Sequence, residues 1–152
     1  MAWGSTAPIA LSALLATIQT ADGLAGVDVR DGPTVVDKAA LEVVSVGYAG
    51  GDEELDIEAE VEPEGMAASP DRERYTIQCA AAVLNGAGDI SAARSRVFEL
   101  LAACGAAIAR DRTLGGTVLQ ASVGSWSLRQ TQDDRGATAM ATFGVAVDAF
   151  TV

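Results

Sequence analysis

The chain has 152 residues, of which 49% are hydrophobic and 20% charged, a composition that excludes a disordered or fibrous protein and fits one domain with one core. Twenty-one acidic side chains against ten basic ones give a net charge of -11, so nucleic acid and anionic membranes should repel the chain rather than hold it. Histidine is absent, which removes Ser-His-Asp and Cys-His catalysis.

In chain order, Ser5, Thr6 and Pro8 read as a helix start. Ile9, Leu11, Leu14, Leu15 and Ile18 then mark one apolar face, and Asp22-Gly23 ends the helix. Val27 and Val29 predict a short strand closed by the turn Asp31-Gly32-Pro33. Residues 41–48 are rich in β-branched side chains and predict a buried strand, broken by Gly50-Gly51.

Leu55, Ile57, Ala59 and Val61 alternate with Glu54, Asp56, Glu58, Glu60 and Glu62, a period of two that predicts a strand with one apolar and one acidic face. Pro63, Gly65 and Pro70 place a loop over residues 63–72. That loop and residues 49–54 hold few large apolar side chains, and both are expected to be mobile in a free subunit. Tyr75, Ile77, Cys79, Ala81 and Val83 predict a further strand. A turn at residues 85–88 leads to Asp89, a good N-cap for a long helix to about Arg110. Its buried stripe is expected to be Ile90, Ala93, Val97, Leu100, Leu101, Cys104 and Ile108. Residues 118–132 and 137–152 read as two strands, joined as a hairpin by Asp133-Asp134-Arg135-Gly136. The fold class is therefore α+β: a mixed or antiparallel sheet with two helices packed against it and a C-terminal hairpin, all in one domain over residues 1–152.

Little in the sequence points to catalysis or a cofactor. Gly86-Ala87-Gly88 has the place of a dinucleotide-binding turn, but Ser91 replaces the third glycine. Asp89 would also set a carboxylate where a pyrophosphate should sit, so helix capping is the better reading. Gly124-Ser125-Trp126-Ser127 lacks the second glycine of a nucleophile elbow. Cys79 and Cys104 lie in apolar stretches and read as buried free thiols. Trp3 and Trp126 read as core or interface residues. No catalytic, cofactor or metal residue is assigned. There is no basic leader segment, and no apolar run approaches the ~18 residues of a membrane span.

The acidic strand has three readings: a solvated face, an electrostatic wall, or a metal site. Carboxylates at alternate strand positions lie ~7 Å apart, too far for one small ion without further ligands. Among the bases, Arg94 and Arg96 near the start of the long helix and Arg110 and Arg112 at its end are candidates to meet acidic faces of a neighbouring copy.

The order of these features resembles the tail-terminator proteins of long-tailed phages and phage-like particles. The resemblance rests on the N-terminal amphipathic helix, the Asp31-Gly32-Pro33 turn and the Glu73-Arg74 pair entering a strand. It continues from Gly88-Asp89 through the long helix to Asp111-Arg112-Thr113-Leu114-Gly115-Gly116, and into the last strand with Phe143-Gly144-Val145-Ala146-Val147. It implies a structural virion protein and no enzyme: a hexameric ring at the tail–neck junction, made in the host cytoplasm. Such a ring ends tail-tube polymerisation, and its partners are its own copies, the tail-tube protein and a neck or head-completion protein. On that reading DNA passes through without specific binding, and Glu54, Asp56, Glu58, Glu60 and Glu62 line the channel. The alternatives are another neck or tail-completion protein, the tail-tube protein itself, or a generic binding module or small cytoplasmic enzyme.

Overall fold

The computed structural model describes residues 3–33, 41–51, 54–65 and 70–152. Lys38 and parts of the two segments expected to be mobile (52–53 and 66–69) lie outside the described residues. The elements run α1 (Ala7–Gln19), β1 (Asp28–Asp31), β2 (Glu42–Val46), β3 (Ile57–Glu62), β4 (Arg72–Asn85), α2 (Ile90–Arg110), β5 (Gln120–Asp133) and β6 (Gly136–Phe150). The strands form one mixed sheet in the order β1-β2-β4-β6-β5, with β3 also paired to β4. The α+β architecture expected from the sequence is the one observed.

β4 organises the sheet. Along its whole length it pairs antiparallel with β6, from Arg72 opposite Phe150 to Asn85 opposite Ala137. Its other edge is shared: β2 covers the stretch from Cys79 to Val83, and β3 covers the stretch from Arg72 to Ile77. β2 and β3 thus occupy one strand position, interrupted by an excursion of the chain. Tyr48 N–H donates to the Gln78 carbonyl as the chain leaves, and Gln78 N–H donates to the Asp56 carbonyl where it returns. Gly47 starts the excursion at φ +76, and any Cβ there would lie 2.8 Å from Leu11 Cδ1, so both conformation and space require glycine.

The period of two in β4 and β6 decides which side is covered. Tyr75, Ile77, Cys79, Ala81 and Val83 of β4, with Ala139, Ala141, Phe143, Val145 and Val147 of β6, are buried beneath the helices. α2 supplies Ala93, Val97, Leu100, Cys104 and Ile108, and α1 supplies Ala10, Leu14 and Ile18. Ile90 and Leu101 reach the core only at its margin. Ile9 was expected on the buried face of α1, yet it is 53% exposed while Ala10 is fully buried. The helix is turned by its docking on the sheet, and a wide apolar face leaves that choice open to packing. Both cysteines are free and buried, as expected, and burial pushes both thiols up to about 12. Trp3 and Trp126 are in contrast exposed; Trp126 stands edge-on to Phe98 with ring centroids 5.2 Å apart.

One buried carboxylate fixes α1. Glu73 lies on the helix side of β4 with no exposed surface. Its Oε1 accepts from the Thr6 N–H at 2.6 Å and from the Thr6 hydroxyl, and its Oε2 accepts from Ser5 Oγ at 2.9 Å. Thr6 has one hydroxyl proton, so the Tyr75 hydroxyl, 3.0 Å away, donates to Thr6 Oγ1. Thr6 is the N-cap of α1 but makes no side-chain cap of its own. Glu73 does that work from a strand 67 residues later in the chain, meeting both an orphan N–H and the positive end of the helix dipole. Reciprocal bonds between Gly4 and Val152, at 2.7 and 2.8 Å, hold the segment before α1 against the segment after β6.

Glu73→Ala is expected to lower the unfolding free energy by about 2–4 kcal/mol in urea titration, because two buried donors of Thr6 and the half-buried Ser5 hydroxyl lose their acceptor. Glu73→Gln, which keeps an acceptor oxygen, should cost roughly half as much.

Candidate functional site

Both helices pack on one side of the sheet, so the other side carries the remaining strand positions to the surface. There the even-numbered residues of β3, β4, β6 and β5 form continuous rows. Glu58, Thr76, Ala146 and Ser122 make one row, and Glu60, Arg74, Asp148 and Gln120 the next. These two rows line a shallow concavity of about 420 Å³. A bulge between Val123 and Ser125 bends β5 at this level. Opposite it, a Cβ on Gly144 would meet Ser125 Oγ and Thr76 Cγ2 at 2.8 Å each, so this close approach of strands needs glycine.

The five acidic residues read from the sequence as one face divide into two groups. Glu58, Glu60 and Glu62 lie on β3, all exposed, and face the open side. Glu54 precedes the strand and is exposed. Asp56 sits at the return of the excursion, where its carboxylate accepts from the Ala49 N–H at 2.9 Å. Asp56 is therefore a staple of that loop. The apolar half of the alternation also departs from expectation: Leu55 is 65% and Val61 42% exposed, and only Ile57 packs against the core. β3 is an edge strand beyond the reach of the helices, so its period of two does not produce a buried face.

Arg72 and Arg74 bring positive charge to the same face, a feature missed in the sequence reading. Arg72 grips Asp148 with two parallel bonds, Nε to Oδ1 at 2.9 Å and Nη2 to Oδ2 at 2.6 Å, and reaches Glu64 at 3.2 Å. Arg74 approaches Glu62 at 3.5 Å and Asp148 at 4.0 Å. The signal was present: residues 72 and 74 share the parity of the outward positions of β4. Hydrogen bonding from Arg72 holds the Asp148 carboxyl below the usual carboxylate range, and Asp148 with Glu64 in turn raises the Arg72 guanidinium. Glu58 and Glu60 have no salt bridge among the described residues.

The four helix arginines have separate surroundings. Arg96 pairs with Glu42 at 2.6 Å and Glu99 at 2.8 Å, joining α2 to β2. Arg94 donates to Gln130 on β5 at 2.8 Å. Arg110 meets Asp22 at 2.9 Å on an exposed surface. The Arg112 carbonyl accepts from the Ala121 N–H, and its side chain is exposed. The loop around it is tied by Asp111, whose carboxylate accepts from the Thr113 hydroxyl, the Thr113 N–H and the Gly115 N–H; these bonds lower its pKa, with the Thr113 hydroxyl foremost. Leu114 is held there at φ +48 with its side chain buried. At the other end of α2, Asp89 accepts from the Ala92 N–H at 3.0 Å, an N-cap geometry that fills the helix terminus with a carboxylate. Among the described residues no cluster of Cys, Asp or Glu is arranged to hold a metal ion, and no helix is long and apolar enough to cross a membrane.

Because Asp148 has a depressed pKa in the folded chain, its contribution to stability is fully present above the unfolded value of about 3.9 and is lost as pH falls through the lower folded value. Acid unfolding of Asp148→Asn should therefore be less steep below about pH 4 than that of the parent, measured by circular dichroism.

No protein-family model matches the chain, and no curated protein matches it.

Proposed function

We propose that the chain is a structural subunit of a phage or phage-like tail, a tail terminator that assembles as a closed ring at the tail–neck junction. The reading rests on the resemblance carried by residues 5–33, 73–74, 88–116 and 143–147. The observation that supports it best is the one-sided sheet: helices cover one face, and the other is a concave polar surface bordered by Glu58, Glu60 and Glu62. A ring built with the helices outward turns that surface toward its axis.

The chemistry of the surface suits a passage for DNA. Phosphate contacts from lysine and arginine supply most non-specific DNA affinity. Arg72 and Arg74 are the bases near the acidic strand, and both are already engaged by carboxylates. Glu60 lies opposite Arg74 but neither it nor Glu58 forms a salt bridge among the described residues, and ring symmetry would repeat each carboxylate once per copy, focusing a negative potential in the channel. The effect reaches ~8 Å at physiological ionic strength and weakens with added salt.

On this reading the subunit needs neither metal nor cofactor, and the resemblance sets the copy number at six. Native mass spectrometry of the assembled protein should return closed hexamers; long tubes would favour the tube-protein alternative, and a stable dimer in the particle would defeat the ring. Particles lacking the chain should carry tails unjoined to heads when imaged. Glu58→Lys with Glu60→Lys should leave assembly intact and slow DNA ejection. Failure of head–tail joining in that variant would instead place the acidic strand at a protein interface.

A further inference from the structure

Among the described residues three strands have a free edge: the short β1, β3 and the long β5. Among the described residues β3 pairs only with β4, and β5 pairs only with β6. β5 is 14 residues long and exposed from Gly124 onward except at half-buried Leu128. It contains neither lysine nor proline, the usual blunting residues of an edge, and its one bulge lies near its start. We infer that the free edge of β3 receives the second half of β5, residues 127–133, from another copy of the chain. Successive copies then share one continuous antiparallel sheet.

Strand direction favours this pairing. Across β3, β4, β6 and β5 every junction is antiparallel, so β3 and β5 run in opposite directions. A copy rotated about an axis lying along the strands keeps its strand directions. Its β5 therefore meets the next β3 antiparallel, and the helices of all copies stay on the same side.

The position of β1 selects the half of β5. β1 lies beyond β2, level with the upper part of β4, while β3 lies below it, level with Arg72–Ile77. An incoming β5 runs upward, toward β1. Were its first half beside β3, its second half would run into β1. With residues 127–133 beside β3, the first half passes below the sheet end. The displacement this demands is of the kind that closing a tilted sheet requires.

Charge selects the partner. Two β3 edges together would oppose carboxylate to carboxylate, which is destabilising. The second half of β5 offers Ser127, Arg129, Thr131 and Asp133 on the open face, with Asp133 at its far end, four residues beyond Arg129. Arg129 makes no salt bridge among the described residues, and this pairing sets it among Glu58, Glu60 and Glu62.

The inference rests on the ring reading only for closure; the pairing itself needs a second copy alone. Native Cys79 and Cys104 are buried, so introduced surface cysteines are the reactive thiols. Glu60→Cys is combined in turn with Ser127→Cys, Arg129→Cys and Thr131→Cys, and the assembled protein is treated with a mild oxidant. At least one pair should convert most of the chain into a disulfide ladder of dimers and higher multimers on non-reducing gels. Each single variant, and Glu60→Cys with Ser122→Cys, should give no ladder. A dimer band from a single β5 variant would mean two β5 edges pair, overturning the inference. Rings seen by native mass spectrometry without a ladder from any of the three pairs would overturn it while leaving the ring standing. Monomers at every concentration would remove both.

Discussion

The Glu73 carboxylate is the point on which the arrangement of layers depends. A buried carboxyl group is tolerated only when hydrogen bonds and dipoles replace its hydration. Here Ser5, Thr6 and the first turn of α1 supply that replacement. The requirement acts in both directions: the N-cap Thr6 makes no side-chain cap bond of its own, and among the described residues Glu73 has donors only in Ser5 and Thr6. Satisfying both forces the helix start onto the Arg72 end of β4. From there Leu14 and Ile18 are carried over the sheet, and Leu11 is brought against Gly47 at the excursion between β2 and β3. The anchor of the first element thus shapes the edge to which the acidic strand belongs.

The core is built of small side chains, and geometry compensates for their size. Ala81, Ala139 and Ala141 bury little area each, but they let α2 approach the sheet closely, with Phe143 filling the centre. The open face has no second layer of helices. Exposed apolar side chains lie at the two lateral edges of the sheet: Leu55 and Val61 by β3, with Val61 on the helix side of its strand, and Trp126 on the helix side of β5 against Phe98.

Most of the fold was legible because two periods are strong in this sequence. The odd-numbered apolar residues of β4 and the stripe from Ala93 to Ile108 read directly as buried faces, and Asp89 and the Asp133–Gly136 turn punctuated them correctly. Alternation in residues 54–62 was equally clear, yet it misled about burial, because period records which side chains share a face and not whether anything covers that face. The same limit hid the role of Asp56, a loop staple that falls in phase with a strand. Glu73 and the pairing of Arg72 with Asp148 were illegible for another reason. Each joins residues more than 60 positions apart, and only register brings them together.

Register also explains why the charges of the open face can be both satisfied and unsatisfied. In the β3–β4 and β4–β6 ladders paired residue numbers sum to a constant, so Arg72 and Arg74 are bound to meet Glu62, Glu60 and Asp148 once β3, β4 and β6 are aligned. The rows end before Glu58 finds a base, and the opposite edge ends before Arg129 finds an acid. A one-residue slip of β3 would turn its carboxylates to the helix side and Ala59 and Val61 outward, so the Ile57 contact with the core fixes which face is acidic. Among the described residues the β5 edge thus holds the unpaired guanidinium of Arg129 opposite the unpaired carboxylates of the β3 edge, with Asp133 four residues beyond it. On the pairing inferred above Arg129 comes among Glu58, Glu60 and Glu62, whereas two β3 edges would set carboxylate against carboxylate, a difference that favours head-to-tail growth over two-fold pairing. Whether such growth would close into a ring depends on the curvature of the sheet, to which the bulge between Val123 and Ser125 contributes by bending β5.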